Sequence, residues 1–172
     1  SYKSLYEAIF HSGVFNNVNV RVSWVDSIKL KSQKKCEEML SKFNGILVPG
    51  GFGKRGVEGK INSIKFAKDK KIPFLGICFG MQLAVIESIR GLKGYENATS
   101  SEFCKKKNNV ITFMNEWIDA SKIHKQDLKN LGGSMRLGSY KSILKKNSKI
   151  YRIYRVSKIL ERHRHRYEVN YK

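Results

Sequence analysis

The segment Ile72-Pro73-Phe74-Leu75-Gly76-Ile77-Cys78-Phe79-Gly80 constrains this chain most, because it reads as a buried strand that runs directly into a helix. An apolar run led in by a proline fits a parallel strand, and Leu83, Ile86 and Glu87 at helical spacing fit the helix that follows. Cys78 then stands on the turn between them. Gly76-x-Cys78-x-Gly80 is the cysteine form of the G-x-S-x-G elbow, where strand and helix approach so closely that only glycine fits on either side of a strained nucleophile. The same placement puts the thiol at a helix N-terminus, whose partial positive charge favours thiolate. A lone cysteine is ordinarily a buried structural one; the two glycines and the strand-turn-helix context favour a nucleophile here.

The flanking sequence extends the same alternation of strand and helix. Ser4-Leu5-Tyr6-Glu7 has the form of a capping box, with Leu5, Ala8 and Ile9 on an apolar helix face and Gly13 as the stop. Val18, Val20, Val22 and Trp24 alternate with Asn19, Arg21 and Ser23, the period of a strand. Cys36, Met39, Leu40 and Phe43 predict a short helix ending at Asn44-Gly45, and Ile46-Leu47-Val48 a short buried strand. After the glycine-rich loop from Pro49 to Gly56, Ile61, Ile64, Lys65 and Lys68 give the next helix one apolar and one basic face. The expected fold is α/β: a doubly wound, mainly parallel sheet flanked by helices, in one domain spanning residues 1–172.

Gly51-x-Gly53-x-x-Gly56 matches the dinucleotide fingerprint, after a strand and into a helix. A nucleotide site of that kind also wants an acidic residue about 20 positions on, at the end of the next strand. Gly-Ile-Cys stands there instead, and no Gly-Lys-Ser/Thr follows at P-loop spacing. Strands 46–48 and 74–77, joined by one helix, should be parallel neighbours with both following loops at the carboxyl edge of the sheet, where ligands bind. Gly50-Gly51 would then face Cys78. The Phe79 N–H and one from Gly51 or Gly50 would form an oxyanion hole, which points to acyl transfer through a thioester.

Composition narrows the classes further. Cys36, Cys78 and Cys104 show no C-x-x-C or Cys/His metal spacing, so neither a disulfide framework nor a zinc site is indicated. The formal charge of +20 comes from 34 Lys and Arg against 14 Asp and Glu. These cations are scattered through the inter-element segments, including Lys68 to Lys71, Lys105 to Lys107 and Lys145-Lys146, so a solvated basic surface is expected in place of a nucleic-acid site. No apolar stretch approaches the roughly 20 residues that span a bilayer, and no signal pattern opens the chain. A cytoplasmic protein with no membrane and no nucleic-acid partner is the expectation.

The blocks Leu47 to Lys60 and Pro73 to Gln82 resemble class I glutamine amidotransferases, and within them the CTP synthases. Glu96 to Phe103, Leu131 to Gly138 and Glu161 to Asn170 resemble further segments of that family in the same order, so the likeness covers nearly the whole chain. It implies a flavodoxin-like amidotransferase fold, incomplete at both termini, and a glutaminase that feeds ammonia to the ATP-dependent amination of UTP to CTP. By the same resemblance Cys78 is the nucleophile, Gly51, Phe79, Gly80, Met81 and Gln82 line the glutamine pocket, Glu102 takes the amino group and Arg166 lies beside the carboxylate end. No cofactor is implied in this chain. ATP and Mg belong with a separate synthetase domain, through which the family assembles as a homo-oligomer.

One element of that family is missing. It takes its base and orienting acid from a His-Pro-Glu segment, whereas the only prolines here are Pro49 and Pro73, neither beside a histidine. His163, His165 and Glu168 stand in the right chain order to replace it, but the resemblance assigns their block to substrate binding and packing. Little glutaminase turnover is therefore expected from this chain alone. A degenerate amidotransferase that only binds, or a basic nucleic-acid module, are the alternative readings.

Overall fold

The computed structural model describes residues 2–104, 109–113, 116–119, 122–125 and 135–170. The parallel pair predicted around the elbow is its centre. Strand β1 (Ile46–Val48) lies beside β2 (Phe74–Gly76) with Ile46 opposite Phe74 and Val48 opposite Gly76. Helix α3 (Val57–Asp69) makes the crossover between them, and β2 turns into helix α4 (Phe79–Arg90). Val57, Ile61 and Ile64 of α3 pack with Val48 of β1 and with Phe79, Leu83 and Ile86 of α4, so the apolar spacing read from the sequence becomes one core cluster. Lys68 Nζ meets the buried Glu87 at 2.6 Å, closing the cluster's polar edge. Helix α2 (Gln33–Leu40), capped by the Ser32 hydroxyl, supplies Cys36 and Leu40 to a second cluster with Leu30 and Phe66.

The strands beyond α4 build what the alternation did not announce. Strand β3 (Thr99–Ser100) runs parallel to β4 (Asn109–Phe113), which pairs antiparallel with β9 (Tyr167–Val169). Ile111 of β4 is fully buried in the same core as Phe79 and Leu83. Two antiparallel ribbons complete the described strands: β5 (Glu116–Asp119) with β6 (Lys122–Lys125), and β7 (Arg136–Ile143) with β8 (Lys158–His165). The short helix α5 (Lys149–Tyr154) lies between β7 and β8 in sequence. Lys105 to Lys107 and Leu131 to Ser134 fall outside the described residues.

The opening segment departs from its sequence pattern. Helix α1 (Lys3–Phe15) starts at Tyr2, with no side-chain cap, so Ser4 sits inside the first turn and makes no capping box. Tyr2 is held there from outside the helix, its ring stacked on Trp24 at 5.6 Å and its hydroxyl donating to Gly50 O at 3.3 Å. Gly13 is no stop either. The chain folds back so closely that a Cβ at Gly13 would lie 2.9 Å from Val18 O, and the Val18 N–H donates to Gly13 O. Residues 18–24 have the alternation of a strand but no ladder partner among the described residues, and a strand exists only by pairing. Their valines instead line a groove of about 590 Å³ against Tyr6, Phe10 and Val14 of α1. None of the predicted site residues borders it.

Candidate active site

The elbow is built by two main-chain contacts that no side chain could survive. A Cβ on Gly76 would lie 2.7 Å from Gly80 C and Met81 N, and one on Gly80 would lie 2.0 Å from Val48 O. Cys78 between them takes φ +51° and ψ −103°, a strained conformation for a residue with a side chain. The Ile77 N–H donates to Val48 O and the Gln82 N–H to Cys78 O, which locks the turn to β1 on one side and to α4 on the other. The result is an exposed cysteine on top of a sheet edge whose main chain cannot relax.

The glycine-rich loop lies where the parallel pairing predicted it. A Cβ on Gly50 would be 3.7 Å from Cys78 Cβ, and one on Gly51 would be 3.6 Å from Phe79 Cδ1. The Phe79 main-chain N–H, one of the two expected oxyanion donors, lies near enough to the Cys78 sulfur to favour its thiolate. Phe79 itself is buried, with its ring edge-on to Phe103 and the Lys60 ammonium 5.3 Å over its face. At the loop's end and in the first turn of α3, two glycines serve packing. Gly56, at φ +69°, sits under the Ser27 side chain, and a Cβ on Gly59 would lie 1.7 Å from Ser27 O. Together they let residues 27–29 lie against α3.

Glu102 comes to the same place from the other sheet. The Gly53 N–H donates to Glu102 Oε1 at 2.6 Å, and the Glu102 N–H to Ser100 Oγ at 3.1 Å. Arg90 at the end of α4 fixes the approach to that turn, donating to Ala98 O at 2.9 Å and forking onto both oxygens of Glu58. Crowding of the sulfur by protein on one side pushes the Cys78 thiol up, although the residue as a whole is exposed. The Phe79 N–H pulls it down and the Glu102 charge pushes it up again. The helix-terminus argument for a thiolate is therefore opposed by this crowding and by the Glu102 charge, whose net direction is upward.

Of the remaining predicted residues, Gln82 is buried and its amide donates to Tyr167 O at 2.9 Å, tying α4 to β9. Met81 is exposed beside the elbow. Arg166, half-buried between β8 and β9, has a buried Nε with no partner among the described residues. Tyr167 was not singled out by its residue type alone. Its ring stands edge-on to Phe113, and its phenol is pushed up by burial and by the Glu102 charge, against the pull of Arg166. Both Glu102 and Arg166, the two residues expected at the ends of a zwitterion, therefore act on it.

The histidines do not join Cys78. His163 Nδ1 and His165 Nε2 are 2.9 Å apart, His165 Nδ1 meets Tyr167 O at 3.2 Å, and Glu168 is paired with Arg136. The described groups acting on the thiol are the Phe79 N–H and Glu102. His165 thus belongs to a packing network on β8, as the block assignment implied.

This geometry fits what the chain is similar to. A family profile described as Glutamine amidotransferase class-I matches residues 1–172. The chain belongs to the class I glutamine amidotransferase family. Within it, the chain is 53% identical over 171 residues to the CTP synthase of Bartonella tribocorum and 50% identical over 171 residues to that of Agrobacterium fabrum. In both cases the match takes in 99% of this chain and 31% of the relative, so the chain spans about a third of their length. A solved structure of the Trypanosoma brucei CTPS glutaminase domain with bound acivicin superposes with a TM-score of 0.84 at 35% identity, over 98% of this chain and 62% of that one. The amidotransferase fold expected from the elbow and its flanking blocks is the fold observed.

Proposed function

We propose that this amidotransferase chain is the glutaminase part of a CTP synthase, in which Cys78 attacks the side-chain amide of L-glutamine. The C–S bond forms, the C–N bond breaks, and the amide nitrogen leaves as ammonia carrying the proton taken from the thiol. Water then cleaves the glutamyl thioester to glutamate. The Phe79 N–H and a glycine N–H of the 50–51 loop stabilise the oxyanion in both steps, each donor typically giving roughly 100-fold to 1,000-fold in rate. Glu102 holds the α-ammonium and Arg166 the α-carboxylate, while Gly51, Gly80, Met81 and Gln82 shape the pocket between them. Gln82 acts there through its position, because its amide N–H is already engaged.

The ammonia would serve UTP amination in a synthetase domain that uses ATP and Mg, the part of the relatives that this chain does not cover. Assembly as a homo-oligomer belongs to the same reading. The observation that supports it most is the pair of close main-chain contacts at Gly76 and Gly80, which hold Cys78 exposed at a strained, positive-φ position between them. Calorimetric titration tests the pocket without requiring turnover. L-glutamine should bind and D-glutamine should not, and Glu102→Gln or Arg166→Met should weaken L-glutamine by tenfold or more, since each leaves one charge of the zwitterion unpaired. Equal affinity for the two enantiomers would overturn the assignment.

A further inference from the structure

The ribbon β7–β8 has two unlike faces. Tyr140, Glu161, Ile159 and His165 lie on the inner one, buried or half-buried. On the outer face the cross-strand pairs are Leu137 with Arg164, Lys141 with Leu160, and Ile143 with Lys158. All six are exposed, the three aliphatics at 53% for Leu137, 78% for Ile143 and 71% for Leu160. Arg162, opposite Ser139, adds a fourth cation, and no acid stands on this face. Residues 136–166 carry five Lys and six Arg against the single Glu161, half the formal charge of the chain, and Glu161 is engaged with the Tyr154 hydroxyl at 2.6 Å.

A solvated ribbon face is ordinarily polar along its length, and a face that only attracts phosphate has no use for three wet aliphatics. Single-stranded nucleic acid would also want aromatic rings for stacking, and this face presents none. Protein interface cores favour aromatic rings and are depleted in lysine. An anionic bilayer surface takes both components. Aliphatic side chains enter the acyl boundary while Lys and Arg stems lie along it and reach the phosphate headgroups. We propose that the outer face of β7–β8 is a docking surface for an anionic phospholipid membrane, on which the chain lies without crossing. This goes beyond the glutaminase reading and does not depend on it. It differs from the expectation of no membrane partner, which rested on span length: none of the described helices is long and apolar enough to cross, but lying on a bilayer requires only a face.

Vesicle flotation tests it, using phosphatidylcholine alone and phosphatidylcholine mixed with phosphatidylglycerol. Binding is expected only to the mixed vesicles, weakening as salt rises. Ile143→Ser with Leu160→Ser leaves the charge unchanged and should weaken partitioning about tenfold or more. Lys158→Ser with Arg162→Ser should weaken it roughly fivefold per cation, and Lys31→Ser with Lys34→Ser, near α2, far less. Circular dichroism confirms that each variant folds. The proposal fails if no vesicle binds, or if the aliphatic pair changes nothing. It fails equally if the cations near α2 matter as much as those on the ribbon, because overall charge then accounts for the attraction. A short DNA duplex that displaces the vesicles while showing the same affinity for both ribbon variants would also overturn it.

Discussion

Gly80→Ala is the most informative single change in this chain, because two large effects oppose one another. Gly80 lies in the first turn of α4, where alanine is intrinsically better than glycine by about 1 kcal/mol. The added Cβ, however, would stand 2.0 Å from Val48 O, 2.7 Å from Val48 C and 3.0 Å from Val48 Cβ. The first two are main-chain atoms of β1, paired in register with β2, so neither can swing aside as a side chain does. Relief requires α4 to lift by about 1 Å, which opens the contacts of Phe79 and Leu83 with Val48. Overpacking of this kind costs roughly 1–3 kcal/mol, and the rigidity of both partners puts this case at the top of the range. A net loss of about 2 kcal/mol follows, which in a domain of this size lowers Tm by about 4–8 °C. Urea denaturation should show the same loss as a lower midpoint with unchanged slope. Displacing the elbow by about 1 Å should also slow covalent labelling of Cys78 about 100-fold. Gly50→Ala is the comparator, since its Cβ would meet Cys78 Cβ at an ordinary 3.7 Å. If the two variants melt together, the close approach of α4 to β1 does not hold the elbow.

Three further outcomes follow from titratable groups in and beyond the site. Alkylation of Cys78 by iodoacetamide should titrate above the ordinary thiol value of about 8.5, and Glu102→Gln should lower that midpoint because it removes a charge that disfavours thiolate. Burial raises the Cys36 thiol, so the unfolded chain loses this proton before the folded one; unfolding free energy should fall as pH rises past about 8.5, and Cys36→Ala should flatten that slope. The opposite window tests His163 and His165, both lowered mainly by burial, with Glu168 opposing the shift in each. Because the unfolded histidines take up protons first, urea stability should decline as pH falls below about 6.5, and less so in His165→Gln.

The legible parts of the fold were those whose signal is local. Glycine flanking Cys78, the apolar spacing of Ile61 and Ile64, and the short run Ile46 to Val48 each state their own geometry, and one helix between two strands dictates parallel neighbours. The bond from the Gly53 N–H to Glu102 was not legible, since it joins positions 49 apart through a second sheet. Nor was the start of α1, which Tyr2 sets by contacts with Trp24 and Gly50 in place of the local Ser4 signal. Residues 18–24 show the same limit from the other side, because alternation marks a segment able to pair and cannot supply its partner. The thiol misled for a different reason: a helix N-terminus is visible in sequence, whereas the crowding and the Glu102 charge that oppose it arise only on folding.

Intact-mass analysis after treatment with a glutamine-shaped chloroketone tests the Cys78 assignment most directly, with Cys78→Ala as the control and circular dichroism to establish folding. One adduct, confined to Cys78 and suppressed by excess L-glutamine, is the predicted result; Cys36 is fully buried and Cys104 lies outside the elbow. A folded chain that takes up no label, or that labels Cys104 as readily as Cys78 with no protection by glutamine, would contradict the account.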